Sequence, residues 1–287
     1  SSTPPAGEGL PLSRLIGGFR EGMMRGESSM RAAVLRAVRR VLLLYLVAGE
    51  ASVEVLYQQR FDLLVVRSLE RDQRELWERM QALKLVRRIM EIQPALLSAP
   101  LVRSVVAVSA HKEDNFRRVC LDTLRELSLG APAAVARANG FKTLLAAVLD
   151  PSAGPDLLEP LVAAVVEVCD APHGRRYVRA RADLHVLLSG FTDMDVSPGL
   201  ERQQRWQTAR VVATALLRSW GGCILLASDA RALPVLMSFL ADPRAAAAAA
   251  ASDPAVLEEA AFAPDDDCLQ EAILGMVIDV VAPLVSV

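Results

Sequence analysis

Residues 171–191, APHGRRYVRARADLHVLLSGF, concentrate the side chains best able to do chemistry. They include His173 and His185 of the chain's 3 histidines, and Tyr177 of its 3 tyrosines. Arg175, Arg176, Arg179 and Arg181 lie in the same stretch. A histidine near a carboxylate such as Asp170 is the pairing of a general base, and clustered guanidinium groups are what a phosphate or carboxylate pocket needs. Arginines beside an aromatic ring can also grip nucleic acid. The same residues would equally serve as the solvated side of two helices, so the choice rests on the elements that position them.

Those elements are helical by composition. Of 287 residues, 52% are hydrophobic and only 5% aromatic, with Ala, Leu and Val dominant. Such a mixture favours helix packed on helix over a sheet rich in β-branched and aromatic side chains. The length allows a large core, and the apolar fraction excludes disorder for the bulk of the chain. A net charge of −2 gives no global field toward nucleic acid or anionic membrane, so such binding would have to be local.

Apolar helical stretches recur at intervals of about 40 residues, the spacing of armadillo and HEAT repeats. FDLLVVRSLE starts at Phe61, LVRSVVAVSA at Leu101, FKTLLAAVLD at Phe141 and LHVLLSGFTD at Leu184. Longer helical stretches lie between them at 80–90, 116–127 and 161–169, and another begins at Met30. Each unit reads as a polar turn, a long helix, a short helix, a turn residue and another apolar helix. We therefore expect an all-α armadillo/HEAT-type superhelix over residues 13–287, preceded by a flexible lead-in at 1–12.

Individual helices follow the 3.6-residue period. Val34, Val38, Val41, Leu42 and Tyr45 share one face, and Phe116, Val119, Cys120, Leu124 and Leu127 share another, with Arg118 and Asp122 an i,i+4 pair on the wet side. Between 202 and 220 a stripe runs through Trp206, Ala209, Ala213, Leu216, Leu217 and Trp220, and Gly221–Gly222 is expected to end that helix. Asn139 and Gly140 supply a positive-φ turn. Trp77, Trp206 and Trp220 are expected in core or inter-repeat contacts. The period breaks at a polar loop, 192–201, and at a polyalanine insertion near 243–253. The run ILGMVIDVVAPLVSV at 273–287 is interrupted by Asp279 and Pro283 and reads as a core helix, not a membrane span. Its mid-pattern stop predicts that 287 is not the natural end.

Catalysis finds little footing. No nucleophile elbow, zinc-protease motif or phosphate-binding loop occurs, and the acidic pairs Asp193/Asp195 and Asp265–Asp267 lie in polar turns. His173 follows Pro172 in a turn, and His185 lies in an apolar helix. Cys120, Cys169, Cys223 and Cys268 are far apart with no CxxC pair, so neither a metal site nor a disulfide framework is expected, and the thiols read as reduced in a cytoplasmic protein. No cofactor is implied. The arginines carry more: Arg36, Arg39 and Arg40, then Arg87 and Arg88, Arg117 and Arg118, and Arg175, Arg176 and Arg179 come at successive units. Stacked repeats would line them up as a ridge, for which acidic protein is a better partner than nucleic acid. RNA or anionic lipid is the alternative ligand.

The segments ALKLVRRIM, RRYVRARADLHVLLSGFTD and ERQQRWQTARVVATALLRSWGGCILLAS resemble the N-terminal region of the Rictor family, the scaffold subunit of TOR complex 2. The resemblance runs from PLSRLIGGF to the end, and because family members are several times longer it implies that this is the N-terminal part of a longer chain. The YVRA segment at Tyr177 and the RSWGG segment at Arg218 are its most specific parts. It implies an armadillo/HEAT superhelix without catalytic activity of its own. The implied partners are the TOR kinase and the stress-kinase-interacting adaptor subunit of the complex. The implied output is phosphorylation of AGC-family kinases acting on growth and the actin cytoskeleton. A cytoplasmic protein, peripheral at membranes as part of the complex, follows from the same resemblance. The candidate partner contacts are Arg175, Arg176, Tyr177, Arg179, Arg87, Arg88 and Arg218.

Overall fold

The computed structural model describes residues 12–44, 49–153, 155–179, 183–191 and 200–232. Among them every regular element is helical, so the fold is all-α as composition requires. The lead-in before Leu12, the polyalanine insertion, the apolar run at 273–287 and Cys268 lie outside the described residues. Among the described residues, no single helix is long and apolar enough to cross a membrane. The chain divides into two compact units, residues 1–140 and 141–287.

The first unit holds α1 (Leu12–Arg25), α2 (Ser28–Leu44), α3 (Gly49–Gln58), α4 (Phe61–Leu69), α5 (Leu76–Ile92), α6 (Ala99–Ala110), α7 (Arg117–Gly130) and α8 (Pro132–Arg137). Apolar residues at helical spacing decide the packing. Leu35, Val38 and Leu42 bury one face of α2, and Leu85, Val86 and Ile89 bury one face of α5, which runs along it. Leu101 and Val105 of α6 are buried, as are Leu121, Leu124 and Leu127 of α7, and these two helices pack together. Each such side chain, removed fully from water, contributes roughly 1.5–3 kcal/mol. The α7 stripe differs from the sequence reading in one member: Val119 is 42% exposed and Leu121 is buried instead. A second face of α7 is in use, so the stripe is wider than a single row.

Among the described residues, two turns between helices place a non-glycine residue at positive φ. Asn139 takes φ 60° just before the helix that starts at Gly140, the left-handed geometry that its short polar side chain tolerates. Arg60 takes φ 55° between α3 and α4 without any such sequence signal. At the end of α3, the Tyr57 hydroxyl donates to the Leu96 carbonyl at 2.6 Å and accepts from the Ser98 N–H at 3.3 Å. This ties α3 to the single 3-10 turn Pro94–Leu96 that precedes α6. Burial pushes the Tyr57 phenol up to about 12.

The second unit holds α9 (Gly140–Val148), α10 (Pro155–Asp170), α11 (Pro172–Arg179), α12 (Leu184–Leu187), α13 (Leu200–Leu217) and α14 (Trp220–Ala227). The expected turn at 172–174 is the first turn of α11, because Pro172 at the opening position has no N–H to leave unpaired. The helix expected from Asp183 is one turn long and passes into a 3-10 turn at Ser189–Phe191. Leu200 and Glu201, read as loop, are the first residues of α13. Leu161, Val165 and Val168 of α10 are buried, as are Ala209, Ala213 and Leu216 of α13. α10 packs against α11, α13 and α14.

Two expectations fail at the end of α13. Gly221 and Gly222 do not stop that helix. It ends at Leu217, the chain bends by 111°, and the glycines form the first turn of α14. Trp220 is not core but 67% exposed, and Trp77 at the start of α5 is 52% exposed. Both stand in the first turn of a helix, on the side away from its buried residues, Glu78 and Arg79 in α5 and Gly221 and Gly222 in α14.

Candidate interaction surface

The stretch that opened the chemical question is largely α11. Arg175 Nε donates to the Cys169 carbonyl at 2.9 Å, so this arginine caps the C-terminal end of α10. Arg176 is exposed, with its guanidinium carbon 4.8 Å from the Tyr177 ring centroid and Nη2 donating to the Tyr177 hydroxyl at 2.7 Å. Stacking plus a hydrogen bond presents this pair as one flat cationic plate. Val178 is fully buried and Tyr177 half-buried. Arg179 closes the helix. Arg181 lies outside the described residues.

His173 is exposed and His185 half-buried. Asp170, the carboxylate an enzymatic reading would pair with His173, is engaged elsewhere. Its Oδ1 accepts from Ser219 Oγ at 2.6 Å and from the Gly221 N–H at 2.7 Å. Ser219 in turn accepts from the Gly222 N–H at 2.9 Å and forms the N-cap of α14. Two of the helix's opening N–H groups are thus satisfied, one through a charged acceptor. A Cβ at Gly221 would collide with the Cys169 carbonyl, and one at Gly222 with the Leu216 carbonyl. The RSWGG segment is therefore a joint in which α14 butts against the end of α10.

A groove of about 530 Å³ between α10 and α13 is lined by Glu159, Glu167, Arg210, Thr214 and Arg218 among others, without histidine or cysteine. Among the described residues, no group of three or more His, Cys, Asp or Glu side chains could hold a metal ion. Cys120 and Cys169 are free and fully buried, and burial pushes both thiols up to about 12.

The remaining predicted arginines differ in how they are held. Arg87 of α5 reaches Asp122, Thr123 and Glu126 of α7, at 3.4, 3.1 and 3.0 Å. Arg88 pairs with Glu91 at 2.8 Å. Arg117 is buried, its Nε donating to the Ser109 carbonyl at 3.3 Å. Arg36 and Arg40 are exposed and Arg39 half-buried. Arg218 is exposed in the bend before α14. These residues do not share one environment: some tie helix to helix and others face water.

Two buried ionic joints were not legible in the sequence. Glu78 of α5 is 0% exposed and accepts from Arg31 Nε at 2.9 Å and Ser68 Oγ at 2.7 Å, while Arg31 Nη2 lies 2.8 Å from its other oxygen. The carboxylate joins α2, α4 and α5. Burial alone would raise its pKa. Hydrogen bonds from Arg31, Ser68 and Ser28 outweigh that and hold it below the usual carboxylate range. Arg79, 3% exposed, bonds the Leu69 carbonyl and Asp114 and lies 5.2 Å from the Phe116 ring centroid. The charge pattern at 78–79 looks like an ordinary wet helix face, so only the partners distant in sequence reveal its role.

The described residues define an all-α protein in which a few charged side chains, Glu78, Arg79 and Arg87 among them, join one helix to another. Residues 1–253 match the family model described as "Rapamycin-insensitive companion of mTOR, N-term", and the chain belongs to that family. It is 29% identical over 253 residues to Protein pianissimo A of Dictyostelium discoideum, covering 82% of this chain and 22% of the relative. With the Rapamycin-insensitive companion of mTOR of Homo sapiens it shares 29% over 220 residues, covering 72% of this chain and 12% of that protein. With the Target of rapamycin complex 2 subunit TSC11 of Saccharomyces cerevisiae the figures are 23% over 235 residues, 82% and 16%. The chain thus spans less than a quarter of the length of these relatives.

Proposed function

We propose that this chain is a non-catalytic scaffold segment of TOR complex 2, folded as an armadillo/HEAT-type superhelix. The observation that carries the reading is family membership over residues 1–253, together with relatives named as subunits of that complex. An all-helical fold supports it, because a rigid surface loses little ordering entropy on binding. In this reading the chain helps to join the TOR kinase to the stress-kinase-interacting adaptor subunit. It thereby supports phosphorylation of AGC-family kinases and signalling to growth and the actin cytoskeleton. It acts in the cytoplasm, with the complex placing it at membranes.

Of the proposed contact residues, the stacked pair Arg176 and Tyr177 is the best placed to meet a partner. Arg87, Arg88 and Arg175 already hold neighbouring groups of this chain. The test is quantitative recovery of the adaptor subunit with the tagged protein, comparing wild type with a joint charge reversal of Arg176 and Arg179. The proposal expects lower recovery from the variant at an unchanged melting temperature. Equal recovery would remove these arginines from the contact.

A further inference from the structure

We propose that a cleft in the second unit, between the end of α9, α12 and the first half of α13, binds an uncharged amphiphile with a hydroxyl head and a short aliphatic tail. The cleft measures about 340 Å³. At roughly 30 Å³ for each water-sized group it has room for about eleven non-hydrogen atoms, and its size falls at the lower end of small-molecule sites. Its apolar wall comes from side chains distant in sequence: Leu149 just after α9, Leu158 of α10 and Val186 of α12. Leu149 is 39% exposed and Val186 44%. Neither stabilises the fold by facing water, and one ligand in the shared cleft would cover both. Val148 and Leu187 line this cleft and also a second, smaller cavity bounded wholly by Leu and Val side chains, so the floor of the cleft is apolar core.

The opposite wall is polar, and the fold holds it in place. Gly190, in the 3-10 turn Ser189–Phe191, lies so close to the Arg205 carbonyl that a Cβ there would collide with it. That contact seats the turn against α13 and fixes the spacing between α12 and the α13 residues Gln204, Gln207 and Thr208. The Thr208 hydroxyl donates its one hydrogen to the Gln204 carbonyl at 3.0 Å, so toward a ligand its oxygen is an acceptor. The side-chain amides of Gln204 and Gln207 bring donors as well as acceptors. A hydroxyl, which gives one hydrogen bond and takes others, matches that mixture. Charge favours neither sign, because Asp150 and Arg205 border the same cleft. Asp150 already takes the Ser152 N–H and hydroxyl at 3.0 and 2.8 Å, and Arg205 is likewise engaged within the chain. A charged head would therefore lose water here without a dedicated counter-ion, whereas an uncharged one avoids that cost.

The probe is n-octanol, titrated into the full chain by isothermal calorimetry. Wild type is expected to bind it, and to bind n-hexanol about fifteenfold more weakly for the two CH2 groups lost. Octanoate and octylammonium, with the same tail, are expected to bind more weakly than the alcohol. Leu149→Asp and Val186→Asp place a charge on the apolar wall, and each is expected to weaken octanol binding about tenfold. Ile224→Asp alters a 41% exposed apolar side chain of α14 outside the cleft and should leave binding unchanged. All three side chains are partly exposed, and an unchanged melting curve confirms that each variant is folded. The chain-length and head-group comparisons use the wild type alone, so they decide the matter even if a variant fails to fold. No binding by the wild type, no gain from hexanol to octanol, or tighter binding of either charged amphiphile would overturn the proposal. So would full binding by both wall variants, or an equal loss in Ile224→Asp. None of these outcomes depends on membership in a kinase complex, so failure here leaves the proposed function to its own test.

Discussion

Asp170 and Ser219, 49 residues apart, share a hydrogen bond of 2.6 Å that fastens the end of α10 to the start of α14. The same carboxylate oxygen takes the Gly221 N–H, so one side chain closes a joint between two helices and caps the second. This joint decides where Trp220 and α11 face, which makes it the structural basis of the surface described above.

Removing the carboxylate by Asp170→Ala is expected to lower stability by about 1–2 kcal/mol, the usual cost of a lost cap. Asp170→Asn keeps an acceptor oxygen and should cost less. Gly221→Ala should exceed both, because the backbone carbonyl of Cys169 cannot move aside as a flexible side chain would. Urea denaturation of the three variants gives the order directly. Gly221→Ala as stable as wild type would contradict the joint.

The Glu78 joint makes stability depend on pH in a defined direction. The folded-state pKa of Glu78 is depressed, so its contribution is present above the unfolded carboxylate range and is lost as pH falls through the folded value. Wild type should therefore lose more stability between neutral and acid pH than Glu78→Gln does. Arg31→Met, which leaves the carboxylate buried without its cation, should cost about 3–5 kcal/mol at neutral pH. Thermal melts across the acid range measure the first, and denaturant titration the second.

Thiol labelling separates core from rim. Cys120 and Cys169 are fully buried with thiols pushed up to about 12, burial being the main cause. Cys223 is only partly buried. With iodoacetamide near pH 8, peptide mapping should show Cys223 alkylated before either of the other two, and all three alkylated once the chain is denatured. Fast labelling of Cys169 in the native protein would contradict its place under α14.

The helices were legible in the sequence because periodicity is local information. Leu121, Leu124 and Leu127 can bury one face of α7 wherever that helix ends up. Asn139 announced its turn for the same reason, through its own side chain. What could not be read were joints made by residues far apart in the chain. Arg31 and Glu78 are 47 positions apart, and Asp170 and Gly221 are 51, so neither pair leaves a motif. The glycines of RSWGG were misread as a helix end because the sequence shows their permissiveness but not the Cys169 carbonyl that requires it. Trp220 was misplaced by the same error, since its stripe was continued across a bend of 111°.

The proposed role makes this chain a structural part of a kinase assembly. The most direct measurement is quantitative mass spectrometry of the complex purified through a tag on the full-length protein, in the native cell and at native abundance. The expected result is the TOR kinase and the stress-kinase-interacting adaptor subunit in fixed proportion to the chain, retained through high-salt washing. A chain recovered without the kinase, or in proportions that change with each wash, would contradict it.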